Sequence, residues 1–402
     1  MIKIAVLGYG TVGSGVVEVI EKNKAMVNKK AGEELEVAYI LDLREFPGDP
    51  YEEKVVHDFD VIVNDPEVKI VCETMGGATF AYKYTKAALE KGKSVCTSNK
   101  ELVAKYGPEL LEIAREHSCN YLFEASVGGG IPIIRPLNYC LTAERIEEIT
   151  GILNGTTNYI LSKMEQEGAD FEEVLKKAQE KGYAERNPEA DVEGFDACRK
   201  IAILSSLMMG KHVDSEKIRT EGITKITPAD FEYAKAAGKT IKLLARAKAI
   251  DEDTLEAMVA PAMIEKESPL GMVNNVFNAV LVRGNMLGES MYYGRGAGKL
   301  PTASAVVSDV IDCARHKEKA IMCFWDKEEV KLADCSKRMC GFYVRAKAEC
   351  RKEIEEAFPG GKALTIQGRE DFAYFTEQME EEVFEKVCGK LGDAVLGRIR
   401  LN

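Results

Sequence analysis

The sequence predicts an α/β protein built on a Rossmann-type, doubly wound parallel sheet, with an α+β second domain and a small C-terminal module. Short β-rich runs alternate with helix-like segments over residues 1–130, and the glycine-rich stretch "GYGTVGSG" follows the first run. A similar alternation returns over residues 328–402. Alternating strands and helices are typical of parallel sheets covered by helices. A length of 402 residues accommodates two to three such domains.

The composition argues against several classes of protein. A net charge of −12 without a basic block argues against a surface that binds nucleic acid or anionic membranes. Charged residues interrupt the apolar runs well before the roughly 18 residues that a membrane helix needs, and no secretory signal is visible. The eleven cysteines are scattered without CxxC spacing. We therefore expect free thiols in a cytoplasmic protein.

The first strand, "IKIAVL", leads into the pattern Gly8-x-Gly10-x-x-Gly13 and a helix-like segment. At a turn from strand to helix, these glycines permit a tight turn, a close approach of pyrophosphate and close helix packing. The pattern predicts a dinucleotide site. A purely structural glycine turn is the alternative interpretation.

The next strand, "EVAYIL", ends at Asp42, where an acid accepts a hydrogen bond from a ribose 2′-hydroxyl. Leu41 before it offers no charge to a 2′-phosphate, which favours NAD, although Arg44 is an alternative base for NADP. Further strands are expected at "DVIV", "KIVCETM" and "KSVC", with helices at residues 80–91 and up to about residue 117.

The pattern changes after residue 130. Strand-like runs such as "IEEITGILNG" mix with helix-like segments over residues 131–300, which predicts a second, α+β domain. The second glycine-rich loop, "YGRGAGKLPTA", introduces a helix near residues 301–320 that is expected to complete the first domain. Helices of the second domain are expected at residues 131–142, 156–180 and 191–209.

Charged residues head an apolar helix in "DVEGFDACRKIAILSSLMM". Asp196 and Lys200 are four residues apart and share a helical stripe with apolar residues, so they face the core or a cavity in it. By itself this pair is more typical of a solvated first turn. Lys100 directly follows a strand at the ligand-binding edge of the sheet, and Glu185 lies in a loop where it could meet a substrate ammonium. Both have ordinary surface interpretations as well.

Six motifs in order resemble homoserine dehydrogenase over roughly residues 1–325. They are "GYGTVGSGV", "TSNKELVAKYG", "EASVGGGIPII", "GILNGTTNYIL", "KGYAERNPEADVEGFDACRK" and "YGRGAGKLPTA". The resemblance implies NAD(P)-dependent interconversion of L-homoserine and L-aspartate 4-semialdehyde, in threonine and methionine biosynthesis. A dehydrogenase of another small amino or hydroxy acid, or a non-catalytic dinucleotide sensor, is the alternative.

The resemblance also implies roles for individual residues. Lys200 would be the acid/base, with Asp196 and Lys100 beside it as catalytic residues. Histidine is scarce, and burial together with a second nearby cation would lower the pKa of a lysine toward that task. The implied substrate contacts are Glu185, Asp191, Gly155 and Thr156; the implied cofactor contacts are Gly8, Gly10, Thr11, Val12, Gly13, Asp42, Gly76, Thr97, Lys100, Gly182 and Gly298.

The stretch "EASVGGGIP" matches the family's monovalent-cation site. The resemblance implies a Na⁺ ion held by the Glu124 side chain and by main-chain oxygens of Val127, Gly129 and Ile131, with a glycine-rich hinge as the alternative. Residues 328–402 resemble a reduced, ferredoxin-like ACT module that lacks the family's Pro-Gly turn, so feedback regulation through it is not expected. The resemblance further implies a homodimer or homotetramer.

Overall fold

The computed structural model describes all 402 residues, and its first domain alternates strands and helices. The elements of this domain are β1 (Ile2–Leu7), α1 (Thr11–Lys22), α2 (Lys24–Ala31), β2 (Leu35–Leu41), β3 (Val55–Val56), α3 (Phe59–Val63), β4 (Val68–Glu73), α4 (Thr79–Glu90), β5 (Ser94–Thr97), α5 (Lys100–Glu116) and β6 (Tyr121–Leu122).

The six strands form a parallel sheet in the order β3-β2-β1-β4-β5-β6, which confirms the predicted doubly wound architecture. The direction of winding reverses between β1 and β4. In such sheets a crevice opens beyond the carboxyl ends of the strands at this reversal, and ligands bind there. The glycine-rich turn after β1 lies at this point.

The second domain returns the chain to the first sheet through its last helix. Its elements are β7 (Ile146–Ile152), α6 (Gly155–Glu167), α7 (Phe171–Glu180), α8 (Glu189–Val192), α9 (Phe195–Met209), β8 (Lys211–His212), β9 (Arg219–Thr220), α10 (Pro228–Ala236), β10 (Lys239–Ala249), β11 (Thr254–Glu265), β12 (Phe277–Gly284), β13 (Gly288–Arg295) and α11 (Lys299–Arg315).

Helix α11 packs against α1 and shares its apolar core with β1 and β2. A Cβ atom on Gly15 of α1 would lie 2.8 Å from the Lys299 carbonyl oxygen, so the two helices are in close contact. Lys299 also pairs with Glu18 of α1 at 2.8 Å. The helix expected at residues 301–320 therefore covers the first sheet, although it begins at Lys299 and ends at Arg315.

The C-terminal elements contain a βαββαβ unit. They are β14 (Asp326–Glu329), β15 (Lys331–Leu332), β16 (Met339–Cys340), β17 (Phe342–Lys347), α12 (Arg351–Ala357), β18 (Lys362–Leu364), β19 (Asp371–Phe375), β20 (Met379–Glu380), α13 (Glu381–Leu391) and β21 (Val395–Leu401). Four of the strands lie in the order β21-β17-β19-β18, and each is antiparallel to its neighbours. This is a ferredoxin-like arrangement. Its finer assignment as an ACT module stays a prediction.

The C-terminal unit extends the sheet of the second domain. Strands β13-β12-β7-β10-β11 continue into β21 through a short parallel pairing of β11 with β21. Arg345 reinforces this junction, because its guanidinium donates to Asp230 of the second domain at 2.9 Å and to Asp371 at 3.1 Å. All three side chains are buried. The two parts of the chain are therefore joined by both backbone and side-chain contacts.

Several predicted elements differ from the structure. The run "DVIV" forms helix α3, because Asp58 caps its first turn by accepting from the Asp60 N–H group. The helix expected at residues 131–142 is only a π-helical turn, Pro136–Cys140. The helices expected at residues 156–180 and 191–209 are each divided in two, the second at Gly194 with φ +84°. No helix is long and apolar enough to cross a membrane.

Candidate active site

The turn between β1 and α1 is shaped by the absence of side chains. A Cβ atom on Gly13 would lie 1.9 Å from the Gly8 carbonyl oxygen, so only glycine permits the helix to pack this closely on the strand. Gly10 is different, because a Cβ atom there would meet no protein atom within 4 Å. Gly13 is therefore required by the fold, whereas Gly10 borders open space in the crevice.

The start of α1 is suited to a phosphate. Gly10 is the N-cap and supplies no side chain to satisfy the first N–H groups of the helix, including those of Thr11 and Val12. The positive end of the helix dipole lies at these same N–H groups and favours a negative charge there. The turn after β4 lies beside this cradle, since a Cβ atom on Gly8 would be 3.1 Å from Met75, and Gly76 within that turn borders open space. These residues could hold the pyrophosphate of a dinucleotide.

Asp42 lies at the end of β2, at the position expected for ribose recognition. Its carboxylate accepts from the Tyr9 N–H group at 2.8 Å and from the Arg44 guanidinium at 2.9 Å through both of its oxygens. These bonds with Arg44 hold the pKa of Asp42 well below its usual range, although burial opposes them. Arg44 itself is largely exposed. Asp42 is therefore charged, and it is paired with Arg44, the residue that the sequence offers as a base for NADP.

The proposed catalytic residues converge on one carboxylate. Lys100, the first residue of α5, binds one oxygen of Asp196 at 2.7 Å, and Lys200 binds the other oxygen at 2.7 Å. Asp196 is only 4% exposed, Lys200 is 8% exposed, and the Lys100 side chain is 38% exposed. The surface interpretation of the Asp196–Lys200 pair is wrong, because both residues are buried in the core of the crevice.

The sequence suggests that one lysine acts on the other as a nearby cation. The structure adds a negative charge to this pair. Asp196 lies between them. Burial would raise the pKa of Asp196, but Lys200 and Lys100 outweigh it and keep the pKa well below its usual range. Burial would likewise lower the pKa of Lys100, and Asp196 outweighs that effect, so the Lys100 pKa is raised. The ammonium of Lys100 is therefore held in its charged form.

Asn154 links this cluster to the turn between β7 and α6. Its amide Nδ2 donates to Asp191 at 2.7 Å and to Asp196 at 2.9 Å, while its Oδ1 accepts from the Thr157 N–H group at the start of α6. The carbonyl oxygen of the preceding Leu153 accepts from Lys200 at 2.8 Å. Burial and the nearby charge of Asp196 raise the pKa of Asp191. The turn therefore orients both acids and Lys200.

The other residues that are expected to contact the substrate lie at the mouth of the crevice. Gly155 and Thr156 begin α6, and the Thr156 hydroxyl donates to the Tyr183 carbonyl oxygen at 2.7 Å. This bond ties the loop after α7 to the substrate turn. Gly182 and Glu185 are exposed on that loop, and the Glu185 carboxylate contacts none of the charged groups around Asp196. The structure thus brings Asp191 into the cluster and leaves Glu185 outside it.

Two predicted cofactor residues have different surroundings. Gly298 caps α11 at the edge of the crevice and is exposed. Thr97 is fully buried, and its hydroxyl donates to the Glu73 carboxylate at 2.5 Å. The Thr97 hydroxyl is therefore engaged by Glu73, and a contact of Thr97 with the cofactor stays a prediction.

The Glu124 carboxylate in the loop expected to hold a cation is bonded to the backbone. Both oxygens of the Glu124 carboxylate accept from backbone N–H groups, those of Ile133 at 2.6 Å, Ile134 at 2.9 Å and Arg135 at 2.7 Å. These bonds use three of the roughly four lone-pair sites of the carboxylate, and Glu124 as a side-chain ligand stays a prediction. The main-chain carbonyl oxygens of Val127, Gly129 and Ile131 accept from no backbone N–H group. Oxygen atoms of this kind are the ligands that a hard cation prefers.

Two family models match the two main domains. The model of the homoserine dehydrogenase NAD-binding domain matches residues 8–124, and the homoserine dehydrogenase model matches residues 132–311. The chain is 48% identical to the homoserine dehydrogenase of Synechocystis sp., over 77% of this chain and 73% of that protein. The chain belongs to the homoserine dehydrogenase family. It is therefore an NAD(P)-dependent oxidoreductase that acts on a CH–OH group.

Further relatives extend the similarity to nearly the whole chain. The homoserine dehydrogenase of Helicobacter pylori is 42% identical over 86% of this chain and 81% of that protein. The crystal structure of a homoserine dehydrogenase from Thiobacillus denitrificans superposes with a TM-score of 0.89 at 35% identity, covering 100% of this chain and 98% of that one. A hyperthermophilic archaeal homoserine dehydrogenase in complex with NADPH superposes with a TM-score of 0.66 at 28% identity, covering 78% of this chain and 97% of that one.

The two glycines of the cradle give a matched pair of variants. We expect Gly10→Ala to unfold at nearly the wild-type temperature but to bind NADH at least about tenfold more weakly, because its methyl group occupies cofactor space. Gly13→Ala should lose thermal stability instead, because its methyl group clashes with the Gly8 carbonyl oxygen. Calorimetry and NADH fluorescence titration separate the two effects. Equal NADH affinity in Gly10→Ala and the wild type would contradict this site.

Proposed function

We propose that this enzyme interconverts L-homoserine and L-aspartate 4-semialdehyde, and that it serves threonine and methionine biosynthesis. The observation that carries the proposal is the Lys100–Asp196–Lys200 cluster beside the glycine cradle. It offers proton-transfer groups without histidine, at the place where the two domains meet. Membership of the family supports the same assignment. Initial rates with homoserine and with plain 2-hydroxy acids, each with NAD and NADP, test it.

The chemistry divides between the cofactor and the protein. A bound nicotinamide would accept or supply the hydride at C4 of the substrate. The protein must move one proton at the C4 oxygen. We assign this proton to the Nζ atom of Lys200, because Asp196 and the Leu153 carbonyl oxygen orient it. The amine accepts the proton when the alcohol is oxidised, and the ammonium donates it when the aldehyde is reduced. Lys100 remains charged and would hold polar groups of the substrate and cofactor in place.

The amino-acid end of the substrate would lie near the other side of the cluster. Asp191 is partly buried and has one carboxylate oxygen, Oδ1, bound to Asn154. A carboxylate in this position can pair with the substrate ammonium, and that pairing would offset the burial that raises its pKa. Glu185 would have to approach from the exposed loop, which Thr156 tethers. This division favours an α-amino acid over a plain hydroxy acid.

Replacing Lys200 tests the acid/base assignment. We expect Lys200→Ala to lower kcat in both directions by about 10²–10⁴-fold, because a positioned proton donor or acceptor contributes about that much. Asp196 keeps Lys100 as a partner in this variant, so the fold should survive. Lys176→Ala, an exposed residue on α7, is the control and should retain wild-type rates. A Lys200→Ala enzyme with near-wild-type kcat would remove Lys200 from the mechanism.

The pH dependence of the two directions should differ. A lysine accepts a proton only as the neutral amine, which alkaline pH favours, and it donates a proton only as the ammonium. We therefore expect kcat/KM for homoserine oxidation to keep rising through mildly alkaline pH, whereas semialdehyde reduction should hold at neutral pH and fall at alkaline pH. The measurement is a pair of pH–rate profiles, with deuterated substrate showing that hydride transfer limits the rate. An oxidative profile that levels off near pH 6.5 would point to a histidine base instead.

Cofactor choice is proposed from Asp42 and its neighbours. The Asp42 carboxylate suits a ribose 2′-hydroxyl and repels a 2′-phosphate, and Leu41 adds no positive charge. Arg44 is bonded to Asp42 and is exposed, so it is the residue that could turn toward a 2′-phosphate. We propose that NAD is used at least as well as NADP, and that Arg44 provides the remaining activity with NADP.

The Arg44→Ala variant tests this division. We expect it to lower kcat/KM for NADP about tenfold more than kcat/KM for NAD, because the charge that meets the 2′-phosphate is lost. The measurement is kcat/KM for both cofactors in the wild type and in Arg44→Ala. Arg351→Ala, which removes an exposed arginine of α12 far along the chain, is the control. A wild-type enzyme that prefers NADP tenfold would overturn the proposal.

Three further expectations stand beside these. We propose that the main-chain oxygens of Val127, Gly129 and Ile131 hold a monovalent cation, with Na⁺ as the expected ion and a structural role at the hinge. A homodimer or homotetramer is the expected assembly. The eleven cysteines are all free thiols, which supports the proposed cytoplasmic location.

A further inference from the structure

Glu73, the last residue of β4, is a fully buried carboxylate that the mechanism above does not use. It is 0% exposed, and no lysine, arginine or histidine forms a salt bridge with it. Charged groups that are buried without a partner of opposite charge are costly, and they are kept where hydrogen bonds or function require them. The contacts of Glu73 show what it holds together.

The Glu73 carboxylate receives one hydrogen bond from each of two neighbouring turns. The Met75 N–H group donates to Oε1 at 2.8 Å, and the Thr97 hydroxyl donates to Oε2 at 2.5 Å. The Thr97 hydroxyl oxygen in turn accepts from the Asn99 N–H group at 2.9 Å. One carboxylate therefore connects the turn after β4 to the turn after β5.

The same two turns carry groups of the active site. Asn99 caps α5 by accepting from the Leu102 N–H group, and its Nδ2 donates to the Gly77 carbonyl oxygen at 2.7 Å. The turn of Met75–Gly77 contacts the glycine cradle at Gly8. Lys100 follows Asn99 directly. The network that begins at Glu73 thus reaches both the cofactor cradle and the lysine that binds Asp196.

We infer that Glu73 is a positioning residue that, through its charged carboxylate, holds the Met75–Gly77 turn and the start of α5 in the arrangement that binds the dinucleotide. This inference rests on the proposed use of the glycine cradle and the Gly76 turn for the cofactor. Only the ionised carboxylate accepts from both Met75 and Thr97 at once with full strength, since a protonated oxygen becomes a donor. Protonation turns one oxygen into a donor toward Thr97 and replaces the charge-assisted bonds with weaker neutral ones, which holds the two turns less firmly.

The environment of Glu73 places this change near neutral pH. Burial raises the pKa of Glu73 to about 7, although the bonds from Thr97, Met75 and Asn99 oppose it. The titratable group that senses its charge is Tyr121 of β6, which β5 separates from β4. Tyr121 is itself buried, and its pKa is raised by burial and by the charge on Glu73. The affinity for the cofactor should be complete above the pKa of Glu73 and should fall as the pH drops through it.

The test is the affinity of the full-length enzyme for NADH without substrate, measured by fluorescence titration from pH 6 to pH 8.5. NADH is the probe because it lacks a 2′-phosphate that titrates in this range. In the wild type we expect the affinity to fall about fivefold to tenfold toward pH 6, the loss of one hydrogen bond to a charged group. In Glu73→Gln the affinity should be nearly independent of pH and should remain at the weaker value.

Thr97→Val is a second variant in case Glu73→Gln does not fold. It removes one donor to the ionised carboxylate, which should raise the pKa of Glu73 and move the midpoint of the binding curve to higher pH. His57→Gln tests the second titratable group near the proposed cofactor site, because His57 bonds to the Asp42 carbonyl oxygen at 2.7 Å and that bond raises its pKa. In His57→Gln, the fall in NADH affinity that the protonation of Glu73 causes should remain.

The outcomes separate this inference from the proposed function. If the wild type binds NADH and Gly10→Ala weakens the binding, but Glu73→Gln keeps the wild-type pH dependence, the role of Glu73 is wrong and the cofactor site stands. A midpoint that does not move in Thr97→Val, or a dependence that disappears in His57→Gln, would also overturn the role of Glu73. If the wild type does not bind NADH at any pH, the proposed cofactor site itself is wrong.

Discussion

The structure of the active site depends on the Asp196 carboxylate, which binds one ammonium with each of its oxygens. Lys200 reaches it from one helical turn further along α9, and Lys100 reaches it from the start of α5 in the other domain. Because the carboxylate is buried, water screens these charges weakly. A displacement of either domain would separate opposite charges in a poorly polar region. The contact therefore fixes the width of the crevice as well as the positions of the two lysines.

This contact also explains how Lys100 occupies a position that is unfavourable by itself. Lys100 is the first residue of α5, where the positive end of the helix dipole repels a cation. Asp196 offsets this repulsion, and it lies in the first turn of α9, where a negative charge is favoured. The break at Gly194 allows α9 to begin just before Asp196 and to direct its first turn toward α5. A continuous helix over residues 191–209 would not present Asp196 in a first turn.

The sequence was informative where local pattern determines structure. The strand–turn–helix at Gly8–Gly13 and the spacing of Asp196 and Lys200 are local, and both predictions are confirmed as geometry. The bond between Lys100 and Asp196 joins residues that are far apart in the chain, so only the resemblance to a family suggested that they are neighbours. The asparagine of the "LNGTT" stretch, Asn154, carries a local signal for a helix cap, but its bonds to Asp191 and Asp196 join distant parts of the chain that no local pattern predicts. The direction of the Thr97 side chain depended on Glu73, whose burial no local pattern reveals.

The two ends of the crevice use the same pairing of carboxylate and cation with different degrees of burial. At the end of β2, Asp42 is bound by Arg44, whose side chain is 61% exposed, so water can replace the bond and the arginine can turn away. In the cluster around Asp196, both Asp196 and Lys200 are buried, and breaking their contact would leave the Lys200 ammonium with only the Leu153 carbonyl oxygen as a partner where water reaches poorly. The exposed Asp42–Arg44 pair is therefore exchangeable, whereas burial makes the Asp196–Lys200 pair permanent. An exchangeable pair suits the recognition of alternative cofactors, and a permanent pair suits a proton donor that must keep its position from one turnover to the next.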